Sequence, residues 1–112
     1  MNSVVIKSVD AARVRRCADE YAGRLLNEHP EIEEIVVFGS FANDTYAPGS
    51  DLDLFIILKD SNRSVRDRIP DYLPNRFPVP VDVFPFTRKE MEVLSSSPLI
   101  AAVRASTWRY SR

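Results

Sequence analysis

A chain of 112 residues with one cysteine, one histidine and three glycines leaves several kinds of protein out at once. Cys17 has no second cysteine to pair with, which excludes a disulfide scaffold and makes a reducing compartment, the cytoplasm, the expected location. Three glycines exclude a collagen-like fibre, and a composition 45% hydrophobic and 28% charged excludes a disordered tail. Long apolar runs are also missing. Uncharged apolar runs such as residues 35–38 and 54–58 are only four or five long, and the opening MNSVVIKSVD lacks the apolar stretch of a signal peptide, so neither export nor a membrane span is expected. Charge of one sign is lacking too: 15 Lys and Arg against 16 Asp and Glu leave a net charge of -1. That near-neutrality disfavours direct binding to a nucleic-acid backbone, which rests on an excess of positive charge. With no repeat, low-complexity stretch or linker, residues 1–112 read as a single domain.

What the chain does have is an uneven distribution of charge. Residues 1–58 carry 5 basic and 10 acidic side chains, a balance of -5, whereas residues 59–112 carry 10 basic and 6 acidic, a balance of +4. Several of the first-half acids, such as Asp19, Glu20 and Glu28, have the spacing of an ordinary helix surface. The remainder are placed less ordinarily.

From residue 9 to 26 the apolar side chains Ala11, Val14, Ala18, Tyr21, Ala22, Leu25 and Leu26 recur every three or four positions, which predicts an amphipathic helix. Ser8 would cap it, Asp10 would sit in its first turn, and Pro30 would end it near His29. Residues 34–38 (EIVVF) and 52–58 (LDLFIIL) read as buried strands. Residues 79–84 (VPVDVF) read as a third, placed near an edge by Pro80. A short helix at 64–73, interrupted at Pro70, lies between the second and third strands. Thr87 and Glu90 have capping-box spacing ahead of another helix, Pro98 can open a turn through 99–103, and 106–110 is either a fourth strand or a docked tail. The expected fold is α+β: a small mixed sheet of three to four strands backed by helices.

One segment departs from what a core requires. Gly39 and Ser40 are followed, ten residues on, by Asp51-Leu52-Asp53-Leu54, so that two carboxylates are set into an apolar strand. Alternation along a strand sends Asp51 and Asp53 to one face, their Cβ atoms about 6–7 Å apart, a separation from which both can reach one hard cation. Unneutralised, the pair would repel and one pKa would rise. Mg²⁺ prefers oxygen ligands and is commonly held by one or two carboxylates together with substrate phosphates. Asp82, a third acid in an apolar strand, would lie beside the pair if the strands are neighbours, and three carboxylates could hold two ions. A glycine after a strand lets backbone come close, and a short turn starting at Ser40 would offer its N–H groups to a phosphate.

The run GSFANDTYAPGSDLDLFIIL, with the later VPVDVF, resembles the signature of the DNA polymerase β-like nucleotidyltransferases, and the small size resembles their minimal nucleotidyltransferases, the antitoxin-type partners of helical HEPN proteins. The resemblance implies a palm-like fold and Mg²⁺-dependent transfer of a nucleoside monophosphate, AMP if the donor is ATP, from an NTP to a hydroxyl acceptor. It implies that Gly39, Ser40 and Ser50 contact the nucleotide, that Asp51, Asp53 and Asp82 bind two metal ions, and that Asp82 helps deprotonate the acceptor. It further implies a HEPN-type partner in a toxin-antitoxin module, in a homodimer or hetero-oligomer. The alternatives are an inactive or weakly active subunit that neutralises its partner by contact, and an antibiotic or other small-molecule nucleotidyltransferase. Phe41-Ala42-Asn43-Asp44 departs from the basic residue and glycine that often follow GS in the family, and Asp44 adds negative charge near the expected phosphates, although it also reads as a turn residue. Arg63, Arg66, Arg68 and Arg76 read as a solvated helix face, His29 as a residue at a helix C-terminus, Cys17 as packing, and Trp108 and Tyr110 as core or interface anchors.

Overall fold

The computed structural model describes residues 10–112, so Ser8 as a cap lies outside the described residues. The first helix, α1 (Ala11–Glu28), begins one residue after Asp10, whose carboxylate accepts the Arg13 N–H at 3.0 Å. Asp10, expected within the first turn, is therefore the cap. At the other end His29 caps the helix ahead of Pro30, its N–H bonded to the Leu25 carbonyl.

Four strands form one sheet in the order β3-β2-β1-β4. Strand β1 (Ile32–Phe38) pairs antiparallel with β2 (Leu52–Leu58), and β2 pairs parallel with β3 (Val81–Thr87). The C-terminal segment resolves as a strand: β4 (Trp108–Ser111) pairs antiparallel with β1, Val37 opposite Trp108. It is held against α1 by a chain of contacts in which the Trp108 indole N–H donates to Tyr110 Oη and the Tyr110 hydroxyl donates to Asp19. Arg15 lies over the Trp108 ring, 4.2 Å from its centroid.

The parallel pair β2/β3 requires a crossover, and α2 (Val65–Tyr72) supplies it. Pro70 does not interrupt α2 as expected. It removes one backbone bond two residues before the helix would end in any case, so the cost is confined to the last turn. Strand β3 starts after Pro80 and runs to Thr87, later at both ends than expected, and it contains Pro85. The Pro85 carbonyl points off the sheet edge to accept from Arg68, so the same residue's missing N–H is one that the ladder would not have used.

Alternation along the strands builds two cores. Leu52, Leu54, Ile56, Leu58, Ile35 and Val37 pack with α1 on one face. Val36, Phe38, Phe55 and Ile57 pack on the other with Met91 of α3 (Arg88–Val93) and with Ile100 and Val103 of α4 (Pro98–Ala105). Fully burying each such side chain contributes about 1.5–3 kcal/mol. The predicted capping box is present: the Thr87 hydroxyl accepts the Glu90 N–H while Glu90 accepts the Thr87 N–H.

Arg68 overturns the reading of a solvated arginine face. It is 2% exposed and donates two bonds to Glu90, one to the Pro85 carbonyl and one to the Arg63 carbonyl, locking α2 to the edge of β3 and to the start of α3. Its reach follows from i, i+4 geometry that turns position 68 inward between Ser64 and Tyr72, a pattern hidden by the polar residues around it.

Candidate active site

The register of the sheet places the acids. Phe38 of β1 pairs with Asp53 of β2, and Asp53 pairs with Asp82 of β3, so one transverse row carries two of the three carboxylates at neighbouring positions. Asp53 shares the face of Phe55 and Ile57, and Asp82 that of Phe84 and Phe86, so both point to the side covered by α3 and α4. Asp51 lies just ahead of β2 rather than in it, near enough for its charge to act on Asp82. The three predicted acids are therefore together, at the end of the sheet where β1 finishes and β2 and β3 begin.

Gly39, immediately after β1, has φ of +79°, a conformation that side chains resist. A Cβ there would stand 3.3 Å from Asp53 Cγ and inside contact distance of its Oδ2. Glycine is thus required twice, by the backbone angle and by the carboxylate lying against it. The following residues make one helical turn, with the Asn43 N–H bonded to the Gly39 carbonyl at 3.0 Å and the Thr45 N–H to the Ser40 carbonyl at 2.9 Å. Asp44, at φ +59°, closes the turn in the left-handed conformation that aspartate tolerates, which makes it the turn residue its sequence neighbours predicted. The N–H groups of Ser40, Phe41 and Ala42 stand outside these bonds.

Phe41 is buried against the α1-side core and stacks on Tyr46, ring centroids 5.0 Å apart, so it anchors the loop that carries the turn. Sequence reasoning gave Phe41 no role. An aromatic pair five residues apart within an otherwise polar loop was the available signal. Ser50 uses its hydroxyl to accept the Ala47 N–H at 2.9 Å and its own N–H to bond the Ala47 carbonyl, closing the loop one residue before Asp51.

Electrostatically the three acids oppose one another. Burial, then the charge of Asp82, then that of Asp51, push the Asp53 carboxyl up to about 6. Asp82 is raised first by burial and then by the charge of Asp51. Among the described residues no group of three or more His, Cys, Asp or Glu side chains is gathered closely enough to hold a metal ion by itself. The carboxylates instead border an open site with Asp51 and Asp82 exposed, and an oxygen-only donor set of this kind suits a hard cation that keeps water and phosphate ligands. Two cavities of about 520 Å³ lie elsewhere, one beside the end of α1 at Tyr21, His29 and Arg76, the other beside α3 at Phe86, Val93 and Leu94.

His29 is less isolated than its sequence context implied. Its Nδ1 lies 3.2 Å from Glu31, whose carboxylate accepts the Tyr72 hydroxyl at 2.7 Å, and its ring meets Tyr72 edge-on. This network joins α1, β1 and α2 on the face opposite the acids.

Among the described residues no helix is long and apolar enough to cross a membrane. A mixed sheet with helices on both faces and paired acids at the mouth of adjacent strands defines a nucleotidyltransferase fold, the class expected from the sequence. The family model for a nucleotidyltransferase domain matches residues 18–104, and the chain belongs to that family. Nucleotidyl transfer is the activity that membership carries. The fold is also that of a crystal structure from Sulfolobus solfataricus, of a protein provisionally named a nucleotidyltransferase, with 20% identity and a TM-score of 0.60 over 90% of this chain and 80% of that one. A search among curated proteins gives no match.

Proposed function

We propose that this nucleotidyltransferase uses Mg²⁺ and an NTP, with ATP the first candidate, to place a nucleoside monophosphate on a hydroxyl acceptor. Three mutually repelling carboxylates beside an obligatory glycine turn carry the reading, because such an arrangement costs folding energy that a bound cation would offset. Asp51, Asp53 and Asp82 would hold the metal, which would neutralise phosphate charge and lower the pKa of a coordinated hydroxyl. The turn that begins at Gly39 and Ser40 would receive phosphate oxygens on its N–H groups. Ser50 serves the site by fixing the approach of Asp51. Asp82, the most exposed end of the row and raised above the usual carboxylate range, would take the acceptor's proton as its oxygen bonds to the α-phosphorus and the bond to pyrophosphate breaks.

The whole chain would act as one domain in the cytoplasm, with the acceptor supplied by a HEPN-type helical protein in a toxin-antitoxin pair. The exposure of Asp51 and Asp82 supports this part of the reading, since acids open to solvent can be reached by a hydroxyl carried on another protein. Incubation with α-labelled ATP, Mg²⁺ and a HEPN-type helical protein as acceptor should label that protein, and Asp51→Asn/Asp53→Asn should abolish labelling. Unlabelled partner that is still neutralised, equally well by the double variant, would establish instead a subunit acting by contact. Asp44 beside the turn, which opposes phosphate binding, is the observation that favours this second reading.

A further inference from the structure

On the face of the sheet opposite the acids, where α1 ends and β1 begins, a cavity of about 520 Å³ opens between α1 and the chain that follows α2. Tyr21 and Leu25, both buried, line it with apolar surface together with Leu73 and Pro74. Its charged lining is sorted by sign. Arg76 stands at one end, since it also lines a neighbouring cavity of about 290 Å³ with Arg13 and Cys17 from the earlier turns of α1. Glu28 and His29 stand at the other end, about three turns further along the helix than Cys17. Arg24 lies between them, its guanidinium set over the Tyr21 ring, 5.6 Å from the centroid.

The other acids at this end of the fold are already engaged. Asp71, also on the wall, is paired with Arg63. Glu31 accepts the Tyr72 hydroxyl at 2.7 Å and lies 3.2 Å from His29 Nδ1, while Tyr72 meets the imidazole edge-on. These contacts hold His29 on the wall and, with the Nδ1 proton given to Glu31, leave Nε2 of the neutral ring as an acceptor. Among the described residues no ion pair engages Arg24, Arg76 or Glu28. Two guanidiniums and one carboxylate therefore share an apolar wall with no charged partner there to neutralise them.

We propose that this cavity binds a small zwitterion whose charges are separated by a carbon or short peptide chain, its carboxylate on Arg24 and Arg76 and its ammonium on Glu28 and His29 Nε2. The chain between would lie against Tyr21, Leu25 and Pro74. A guanidinium grips a carboxylate with two parallel bonds, and an ammonium, which carries only donors, needs the acceptors found at the other end. A polyanion would meet Glu28 and a polyamine would meet the two arginines, so the sorted charge selects a ligand carrying both signs. The cavity shares no residue with the carboxylate row or the Gly39 turn, so this site and the nucleotide site stand or fall separately.

Two-dimensional NMR titration of the full chain tests it with three probes of similar length: ε-aminocaproate, caproate and hexylamine. ε-Aminocaproate should shift the amide signals of Arg24 and of residues 73–76 and should bind most tightly of the three. Arg24→Ala and Arg76→Ala should each weaken it by on the order of tenfold. Glu28→Gln should reduce its affinity to that of caproate, and Arg16→Ala, on α1 outside the cavity, should bind as the wild type does. All four side chains are exposed, so the substitutions act on binding rather than on folding. No saturable shift with ε-aminocaproate, unchanged binding in the two arginine variants, or caproate or hexylamine bound as tightly as the zwitterion would each overturn the assignment. Shifts centred on Asp51, Asp53 and Asp82 would overturn it as well, by placing the probe at the carboxylate row.

Discussion

Replacing Gly39 with alanine separates two demands that the structure makes of one residue. The first is conformational: at φ +79° an alanine costs about 1–2 kcal/mol. The second is steric, because the new methyl would overlap the Asp53 carboxylate and the side chain or the turn must shift. Gly49 provides the control. Its φ is +90° and a Cβ there meets nothing within 4 Å, so Gly49→Ala carries the conformational cost without the overlap. Both variants should lose roughly 4–8 °C in Tm for the backbone cost, with Gly39→Ala losing somewhat more. Their function should diverge much further. A displacement of about 1 Å at a reacting centre can cost about 100-fold, so Gly39→Ala should depress Mg²⁺-dependent nucleotidyl transfer on that order while Gly49→Ala keeps activity within a few fold. Thermal melts and a radiolabel transfer assay on the two purified variants give both quantities. Equal activity in the two would refute the claim that the Gly39 backbone is held open for Asp53.

Removing the charge of Asp53 should stabilise the fold. Its folded pKa of about 6 lies above the ordinary 3.8, so the folded state holds the proton more tightly and is penalised once that proton is lost. The shift alone corresponds to about 3 kcal/mol, which solvent screening at a half-buried group reduces to about 1–2 kcal/mol. Asp53→Asn should therefore melt higher than the wild type at pH 7.5, with an advantage that grows from pH 4 to pH 6 and is absent at pH 3; a variant that melts lower at pH 7.5 would contradict this. Glu90→Ala strands the buried Arg68 guanidinium and should destabilise by about 3 kcal/mol in urea unfolding, whereas Glu90→Gln keeps an acceptor for Arg68 and Thr87 and should lose less. The hydrogen bond from Arg68 is the first cause that holds Glu90 down to about 2, so its contribution is complete above pH 4.5 and fades as pH falls toward 2. Glu90→Ala should lack that part of the acid dependence, and an acid profile identical to the wild type would count against the pairing.

Elements governed by local chemistry were legible before any coordinates. The periodicity of α1, the Thr87–Glu90 capping box and Pro98 at the start of α4 each declare themselves within a few residues. The strand LDLFIIL was readable to the residue because an apolar run lies between Asp51 and Lys59. The neighbouring strands were blurred by prolines whose effect depends on which way the sheet edge faces, and Pro85 is harmless only because its carbonyl points to Arg68. Strand β4 has four residues and little apolar character, so only its pairing with β1 identifies it.

The candidate site divides along the same line. Asp51 and Asp53 are visible as acids in an apolar setting, and their spacing alone brings them to one face. Their union with Asp82 depends on the parallel register of β2 and β3, which the alternation pattern permits and the crossover through α2 decides. Arg68 and Phe41 escaped because each takes its meaning from a partner distant in sequence: Glu90 for Arg68 and the α1-side core for Phe41.

The central claim is that three acids held together at a cost in stability form a metal site completed by a nucleotide. Free Mn²⁺, followed by electron paramagnetic resonance as it is titrated into the protein with and without α,β-methylene-ATP, tests this most directly, because bound and free ion give distinct signals. The account predicts weak uptake by the protein alone, a rise of at least tenfold in affinity when the nucleotide is present, and loss of that rise in Asp53→Asn. Identical uptake by the wild type and Asp53→Asn in the presence of nucleotide would contradict it.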